Sequence, residues 1–244
     1  MNIFQYDQVV APKTIENLIS EVDLFKDKMK GNAWIGLYDE PDNLIEQFII
    51  DSYDFHFADK CQSVVGFEWW IHVMDKDNQM ITFHADHDED KRINEGDMSF
   101  PMLGTCLYLD DTPNPTIFLD TEHTSTYEKQ IEPFPPTNAV FSYADKGKFL
   151  VYNPRYLHGI LPSSDKQSTL WYNVWQYKPK NLDRVGLSRL NYDKKSHYIM
   201  KERKDPVLYL GETITVDMDI QQRPMTLKGP RGSQGIGNLW QVNQ

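Results

Sequence analysis

The sequence predicts a mostly β protein, a sandwich or barrel of short strands preceded by helices. Between Val64 and Lys178, short runs of β-branched and aromatic residues alternate with polar breaks, as they do in all-β sandwiches and barrels. The residues before this region show helical periodicity instead. The chain has 244 residues, of which 40% are hydrophobic and 13% aromatic, and this is enough for a substantial buried core.

The N-terminal part predicts two helices. The first covers Lys13 to Lys30, with Thr14 as its N-cap and Gly31 as its stop. Its apolar residues recur at steps of three and four: Ile15, Leu18, Ile19, Val22 and Phe25. The second helix runs from about Asp42 to Tyr53.

The middle of the chain predicts the β core. The predicted strands are Gly66–Met74, Met80–His84, Gly104–Leu109, Thr116–Asp120, Ala139–Tyr143, Lys148–Tyr152, Gly159–Pro162 and Thr169–Tyr177. The break Asp145–Gly147 predicts a hairpin turn, and the three prolines of Glu132–Asn138 predict a loop or an edge.

The C-terminal part is less regular. Val207–Leu210 and Thr213–Val216 are predicted strands, and Gly229–Gly237 is a glycine-rich loop. We therefore expect one domain in three parts: helical residues 1–60, a β core over 61–180, and a C-terminal extension over 181–244.

Bulk composition narrows the class of protein. A formal net charge of −11 and a pI near 5.0 exclude a generic nucleic-acid binder, which needs a basic face. Met1–Val10 lacks the features of a secretory signal, and no apolar run approaches the roughly 20 residues that span a bilayer. Cys61 and Cys106 are expected to be reduced thiols. These features predict a soluble, cytoplasmic protein.

The histidines carry the chemical signal. One His-x-Asp motif occurs, His84–Asp86, and it follows the apolar run Met80–Phe83. A His-x-Asp pair arises about once by chance in a chain of this composition, so the surrounding residues have to show whether it is a metal site. Residues two apart on a strand face the same side, so both can reach one ion. His158, after the run Phe149–Leu157, can supply a second imidazole. Two His and one carboxylate leave one side of a metal open, as in non-haem Fe(II) sites.

A cation and a hydroxyl follow on the next predicted strand. Lys166 and Ser168 are two residues apart, and together they could bind a carboxylate of a co-substrate by charge-assisted hydrogen bonds. A solvated lysine in a turn is the alternative interpretation of Lys166.

These segments resemble the Fe(II)- and 2-oxoglutarate-dependent dioxygenases, particularly the prolyl-4-hydroxylase-like branch. The resemblance covers Gly66 to Tyr177 and rests on the order and spacing of its motifs. They are Glu68-Trp-Trp-Ile-His-Val-Met74, Phe83-His-Ala-Asp86, Gly104-Thr-Cys-Leu-Tyr-Leu-Asp110, Pro115-Thr-Ile-Phe118, Phe149 to Gly159, and Lys166-Gln-Ser168 running into Trp171.

The resemblance implies a double-stranded β-helix (jelly roll) with His84, Asp86 and His158 as iron ligands. It implies that Lys166, helped by Ser168 and Tyr108, binds the distal carboxylate of 2-oxoglutarate, although that branch more often has Arg where this chain has Lys166. It implies a catalytic domain that hydroxylates an unactivated C–H bond with Fe(II), 2-oxoglutarate and O2, and that releases succinate and CO2. The carboxylate of the His-x-Asp motif favours hydroxylation or another hydrogen abstraction over halogenation.

Alternatives stay open at this point. His87 and Glu89 form a competing His-x-carboxylate pair, and Tyr108 could be plain core. A jelly roll that binds a ligand without redox chemistry, or a cupin-type metal enzyme without 2-oxoglutarate, could use the same residues. The resemblance implies a peptidyl or free amino-acid side chain as the substrate, with a small molecule as the alternative, and a homodimer is compatible with the sequence.

Charge is placed unevenly along the chain. Residues 84–97 carry six acidic residues against two basic ones, and residues 181–204 carry seven basic against three acidic. An acidic loop beside the metal could steer a cationic substrate towards it.

Overall fold

A computed structural model describes most of the chain. The described residues are 3–7, 10–29, 31–75, 80–123, 136–161 and 166–185, together with the strand backbones 207–208, 214–215, 223–228 and 234–239.

The described residues form three helices and fourteen strands. The helices are α1 (Pro12–Phe25), α2 (Leu44–His56) and α3 (Glu89–Glu95). The strands are β1 (Ile3–Tyr6), β2 (Ala33–Gly36), β3 (Gly66–Met74), β4 (Ile81–His84), β5 (Leu103–Tyr108), β6 (Thr112–Glu122), β7 (Asn138–Ala144), β8 (Phe149–Tyr152), β9 (Tyr156–Ile160), β10 (Gln167–Trp175), β11 (Val207–Leu208), β12 (Ile214–Thr215), β13 (Arg223–Lys228) and β14 (Gln234–Leu239).

Two antiparallel sheets build the β core. The major sheet has the strand order β11-β1-β8-β5-β10-β3-β2, and the minor sheet has the order β12-β7-β6-β9-β4. β13 and β14 form a separate two-stranded sheet among the described strands. From β3 to β10 the chain passes repeatedly from one sheet to the other, since β3, β5, β8 and β10 belong to the major sheet. This is the connectivity of a double-stranded β-helix, and it confirms the predicted mostly β jelly-roll fold.

The two faces of the major sheet pack against different partners. Its outer face meets α1 and α2, and Leu170 and Tyr172 of β10 lie in that apolar cluster. Its inner face meets the minor sheet, and Trp171 lies there with Phe118 of β6. Because successive strand residues face opposite sides and both sides of the sheet are covered, every residue of β10 is buried, the polar ones included.

Both predicted helices are present with shifted ends. α1 begins after Ala11, with Pro12 at its first turn, instead of after the predicted cap Thr14. This choice follows the preference of proline for the first helical turn. α2 begins after Asn43, whose side-chain oxygen accepts a hydrogen bond from the N–H of Glu46 at 2.8 Å. The strands β1 and β2 were not predicted in this region.

Two predictions about the strands differ from the structure. β9 begins at Tyr156, three residues before the predicted start, so His158 lies inside a strand. The Asp145–Gly147 break is a turn, with Gly147 at a φ of 86°, but it does not close a hairpin. β7 and β8 belong to different sheets, and the turn carries the chain between the sheets.

The C-terminal predictions are confirmed in part. β11 and β12 fall within the predicted strands Val207–Leu210 and Thr213–Val216. The predicted glycine-rich loop overlaps β14 instead. The predicted loop Glu132–Asn138 lies mostly outside the described residues.

No helix among the described residues is long and apolar enough to cross a membrane. Cys61 and Cys106 are both buried and not bonded to each other.

A buried carboxyl group joins the two long helices. Glu21 of α1 is 8% exposed, and its Oε2 accepts a hydrogen bond from the N–H of Ile45 at 3.1 Å, at the start of α2. Burial raises the pKa of Glu21 to about 7, although backbone hydrogen bonds from Leu44 and Ile45 oppose the shift. Ionisation of Glu21 is therefore unfavourable in the folded protein.

Glu21→Gln should remove a pH dependence of stability. Because the folded-state pKa is above the unfolded value, the folded state holds this proton longer as the pH rises. The stability that Glu21 contributes is present below about pH 4.5 and is lost as the pH rises through about 7. Urea unfolding at pH 5 and pH 8 should show the variant gaining up to about 3 kcal/mol over wild type at the higher pH.

Glu16→Gln on the exposed side of α1 is the matched control, and it should change little at either pH. An equal gain from Glu16→Gln, or no gain from Glu21→Gln, would contradict the assignment.

Candidate metal centre

Strand pairing brings the two predicted histidine ligands together. His84, the last residue of β4, lies opposite His158 of β9, and their ring centroids are 4.6 Å apart. Gly159 allows this close approach, because a Cβ there would lie 2.7 Å from the carbonyl oxygen of Ile81 on β4. Asp86 follows β4 in the chain and is held by a hydrogen bond from its N–H to the carbonyl of Pro154 at 2.9 Å.

The three side chains present one nitrogen or oxygen atom each to a common point. Asp86 Oδ1 is 3.6 Å from His84 Nε2 and 3.7 Å from His158 Nε2. The ligand atoms all lie within 4.8 Å of one another, and this is the one such group of His, Cys, Asp or Glu among the described residues. Donor atoms at these separations can share a single metal ion.

Backbone carbonyls orient both imidazoles. His84 Nδ1 lies 2.7 Å from the carbonyl oxygen of Thr82, and His158 Nδ1 lies 3.0 Å from that of Tyr156. A proton on each Nδ1 satisfies these carbonyls and leaves each Nε2 as a lone-pair donor towards Asp86. Outer hydrogen bonds of this kind fix the tautomer and ring orientation of metal-binding histidines.

The charges suit a divalent cation. Burial lowers the pKa of His158 to about 4, so it is a neutral imidazole near pH 7. Burial opposes ionisation of Asp86, but His158 and His84 more than offset it and lower the pKa of that carboxyl. Burial lowers the pKa of His84 and the carboxylate of Asp86 raises it, and the net shift of this pKa is upward. The site combines imidazole nitrogens with a carboxylate.

Aromatic rings enclose the inner side of the group. Trp171 of β10 stacks on His158 with a centroid distance of 5.8 Å, and Phe118 of β6 stacks on it at 5.7 Å. Tyr152 of β8 contacts His158 at 4.8 Å, and its hydroxyl donates to Asp86 Oδ2 at 2.9 Å. Burial raises the pKa of Tyr152 well above its ordinary value.

Sequence reasoning missed Tyr152. The two-residue alternation along β8 could have placed Tyr152 with Leu150 on the inner side of the jelly roll, but it gives no sign of the contact with Asp86.

The three predicted co-substrate residues are divided between the two faces of the major sheet. Ser168 shares the outer side of β10 with Leu170, and Lys166 Nζ lies 4.0 Å from Asp23 of α1. The structure therefore does not bring Lys166 and Ser168 to the metal-binding group. Tyr108 faces the interior, and its hydroxyl lies 2.7 Å from Thr116 Oγ1 and 3.0 Å from the carbonyl oxygen of Ser142.

A buried lysine lies close to Tyr108. Lys148 is the one buried Lys or Arg among the described residues. Its carbonyl accepts a hydrogen bond from the N–H of Tyr108, and its Nζ donates to the carbonyl of Tyr143 at 2.6 Å. Nζ also lies 2.5 Å from Asp145 Oδ2. Tyr108 and Lys148 thus contact adjacent residues of β7, and the buried hydroxyl of the first, Ser142, has no hydrogen-bond partner within the described part of the chain.

Most acids of residues 84–97 have structural contacts. Asp88 caps α3 through the N–H of Lys91 at 3.1 Å, Glu89 pairs with Arg92, and Asp90 lies 3.8 Å from Lys180. The predicted acidic loop contains α3, and its charge is partly neutralised locally. The competing ligand His87 contacts Glu89 at 2.8 Å and lies outside the metal-binding group. The basic segment 181–204 lies mostly outside the described residues.

Comparison with solved structures finds remote likenesses. The chain is similar to a prolyl-4-hydroxylase from Pseudomonas putida at 12% identity and a TM-score of 0.48, covering 72% of this chain and 88% of that one. It is similar to HygX from Streptomyces hygroscopicus with nickel and 2-oxoglutarate bound, at 11% identity and a TM-score of 0.43, covering 75% and 91%. It is also similar to SnoK, a non-haem α-ketoglutarate-dependent carbocyclase of nogalamycin biosynthesis, at 11% identity and a TM-score of 0.46, covering 70% and 78%.

No protein-family model and no curated protein matches the chain. At these identities and TM-scores, the activity has to be argued from the residues of the chain itself.

Trp171→Ala should destabilise the fold strongly. The indole is 2% exposed and packs against His158 on the inner face of the major sheet, so its removal leaves a cavity. Urea unfolding should show a loss of about 3–5 kcal/mol, the usual cost of truncating a buried Trp. Tyr38→Ala, at a side chain that is 94% exposed, should cost less than about 0.5 kcal/mol. Similar losses for both variants would contradict the packing described here.

Proposed function

We propose that this protein is an Fe(II)- and 2-oxoglutarate-dependent oxygenase that hydroxylates an unactivated C–H bond. The observation that supports this function is the convergence of two imidazole nitrogens and one carboxylate oxygen at one position in a jelly roll. The proposed iron ligands are His84, Asp86 and His158. The donor set fits the ion, because two His and one carboxylate on one side of Fe(II) leave positions for O2 and a 2-oxo acid.

The protein supplies orientation and enclosure. The carbonyls of Thr82 and Tyr156 hold the imidazoles, and the rings of Phe118 and Trp171 close the inner side of the site against water. Bound Fe(II), with 2-oxoglutarate and O2, supplies the oxidising chemistry and releases succinate and CO2.

For the far carboxylate of 2-oxoglutarate we propose Tyr108 and Lys148. Tyr108 lies in the interior of the jelly roll, where its hydroxyl contacts the carbonyl of Ser142. The buried Lys148 contacts the carbonyl of the next residue, Tyr143, and supplies a cation that is paired with Asp145. A lysine and hydroxyls bind a carboxylate by charge-assisted hydrogen bonds. Lys166 and Ser168, the anchor expected from the sequence, lie on the helix side of β10 and are the less favoured pair.

The proposed substrate is a peptidyl or free amino-acid side chain, as the resemblance of the sequence to prolyl hydroxylases implies. We place the protein in the cytoplasm, where its two buried thiols would stay reduced.

Metal binding and co-substrate turnover test the proposal. After chelator treatment, wild-type protein should bind one Fe(II) per chain. With 2-oxoglutarate and O2 it should then form succinate slowly without substrate, as measured by proton NMR. Asp86→Ala should bind no iron and form no succinate above background, because it removes the charged ligand.

His87→Ala is the matched control for that experiment. Its imidazole pairs with Glu89 outside the group, so iron binding should be retained. Iron binding that survives Asp86→Ala, or iron binding without succinate formation, would reject the oxygenase and favour a metal enzyme or binding protein without 2-oxoglutarate.

Two lysine variants test the co-substrate site. Lys148→Met should raise the KM for 2-oxoglutarate by tenfold or more while iron affinity is retained, because a charged hydrogen bond is worth about 1.5–3 kcal/mol. Lys166→Met should leave that KM unchanged. The reverse result would restore the anchor predicted from the sequence.

A further inference from the structure

A tyrosine hydroxyl lies against two of the three proposed metal ligands. Tyr152 OH donates to Asp86 Oδ2 at 2.9 Å and lies 3.5 Å from His158 Nε2. The other oxygen, Asp86 Oδ1, is the one at 3.6–3.7 Å from the two imidazole nitrogens. The two oxygens of the Asp86 carboxylate therefore have different partners: Oδ2 accepts the hydrogen bond from the tyrosine, and Oδ1 faces the histidines.

The ring of Tyr152 is held in this position from several sides. It is 1% exposed and contacts Phe118 at a centroid distance of 5.0 Å and Trp171 at 6.2 Å. Gly104 on the neighbouring strand β5 lies beneath it, and a Cβ at that position would be 2.5 Å from two ring carbons. The hydroxyl cannot leave Asp86 without repacking the core.

The hydrogen bond from Tyr152 to Asp86 affects how many coordination positions of a bound metal ion stay open. A carboxylate can bind with one oxygen or with two, and a two-oxygen carboxylate occupies a further position of the ion. A hydrogen bond to Oδ2 favours binding through Oδ1 alone, because Oδ2 already accepts the hydrogen bond from Tyr152. Three positions of an octahedral ion then remain for a chelating 2-oxo acid and O2.

We propose that Tyr152 is a positioning residue that makes Asp86 a one-oxygen ligand and so preserves the open positions of the metal. The inference rests on the proposed function, because it requires an ion at His84, Asp86 and His158.

Cobalt(II) is the probe, because its visible spectrum reports coordination number without any turnover. Wild-type protein titrated anaerobically with Co(II) should bind one ion. Tyr152→Phe keeps the ring and removes the hydroxyl. It should weaken Co(II) affinity by about 10–100-fold, the usual effect of removing an outer hydrogen bond to a ligand, and should change the visible bands.

Tyr172→Phe is the matched control. Tyr172 is also buried in the major sheet, but its hydroxyl contacts Ser52 of α2 at 2.9 Å on the helix side. It should leave both the affinity and the bands unchanged.

Gly104→Ala tests the same idea without removing the hydroxyl. The added methyl group would displace the ring of Tyr152, so the variant should show the altered bands of Tyr152→Phe. Circular dichroism checks that each variant is folded, and Tyr152→Phe alone decides if Gly104→Ala is not.

The outcomes separate the two proposals. Failure of wild-type protein to bind Co(II) overturns the proposed function. Wild-type binding with an unchanged Tyr152→Phe, or an equal loss in Tyr172→Phe, overturns the positioning role alone. A visible tyrosine-to-iron band in the Fe(III) protein that Tyr152→Phe abolishes would make Tyr152 a ligand, and would also overturn it.

Discussion

The antiparallel pairing of β4 with β9 is the constraint on which the candidate site depends. It places His84 opposite His158, although 74 residues separate them in the chain. Asp86 then needs only the two residues that follow β4 to reach the same point. Every other feature of the site acts on this pair, since the backbone carbonyls turn the imidazoles and the aromatic rings enclose them.

The alternation of β10 separates two environments within one strand. Leu170 and Tyr172 complete the cluster with the helices, whereas Trp171 completes the interior and stacks on a proposed ligand. A residue moved by one position along this strand would change from one environment to the other. Lys166 and Ser168 lie on the side of β10 that faces the helices. For this reason Tyr108 and Lys148 are the residues proposed to bind the far carboxylate of 2-oxoglutarate.

The fold class and the His84–Asp86 pair could be predicted from the sequence, because alternation, turns and the His-x-Asp spacing are local signals. His158 is distant in the chain, and the order of the motifs that resemble the dioxygenases added it to the pair. The prediction of a hairpin at Asp145–Gly147 was wrong, because a turn sequence does not say whether the strands that it joins belong to one sheet. Alternation along β10 puts Lys166 and Ser168 on one face, but the local sequence does not say which face meets the helices. Tyr152 contacts Asp86 across 66 residues, and no local pattern encodes that contact.

The position of β4 at the border of its sheet has a mechanical consequence. Among the described strands it pairs with β9 alone, over only four residues and with an irregular register. Border strands with few hydrogen bonds are the first to separate in local opening. An ion held by His84, Asp86 and His158 would cross-link β4 to β9. Binding of the metal would therefore make the separation of these two strands less favourable. Gly159 lets β4 approach β9 closely, and this short spacing is what allows one ion to bridge the two strands.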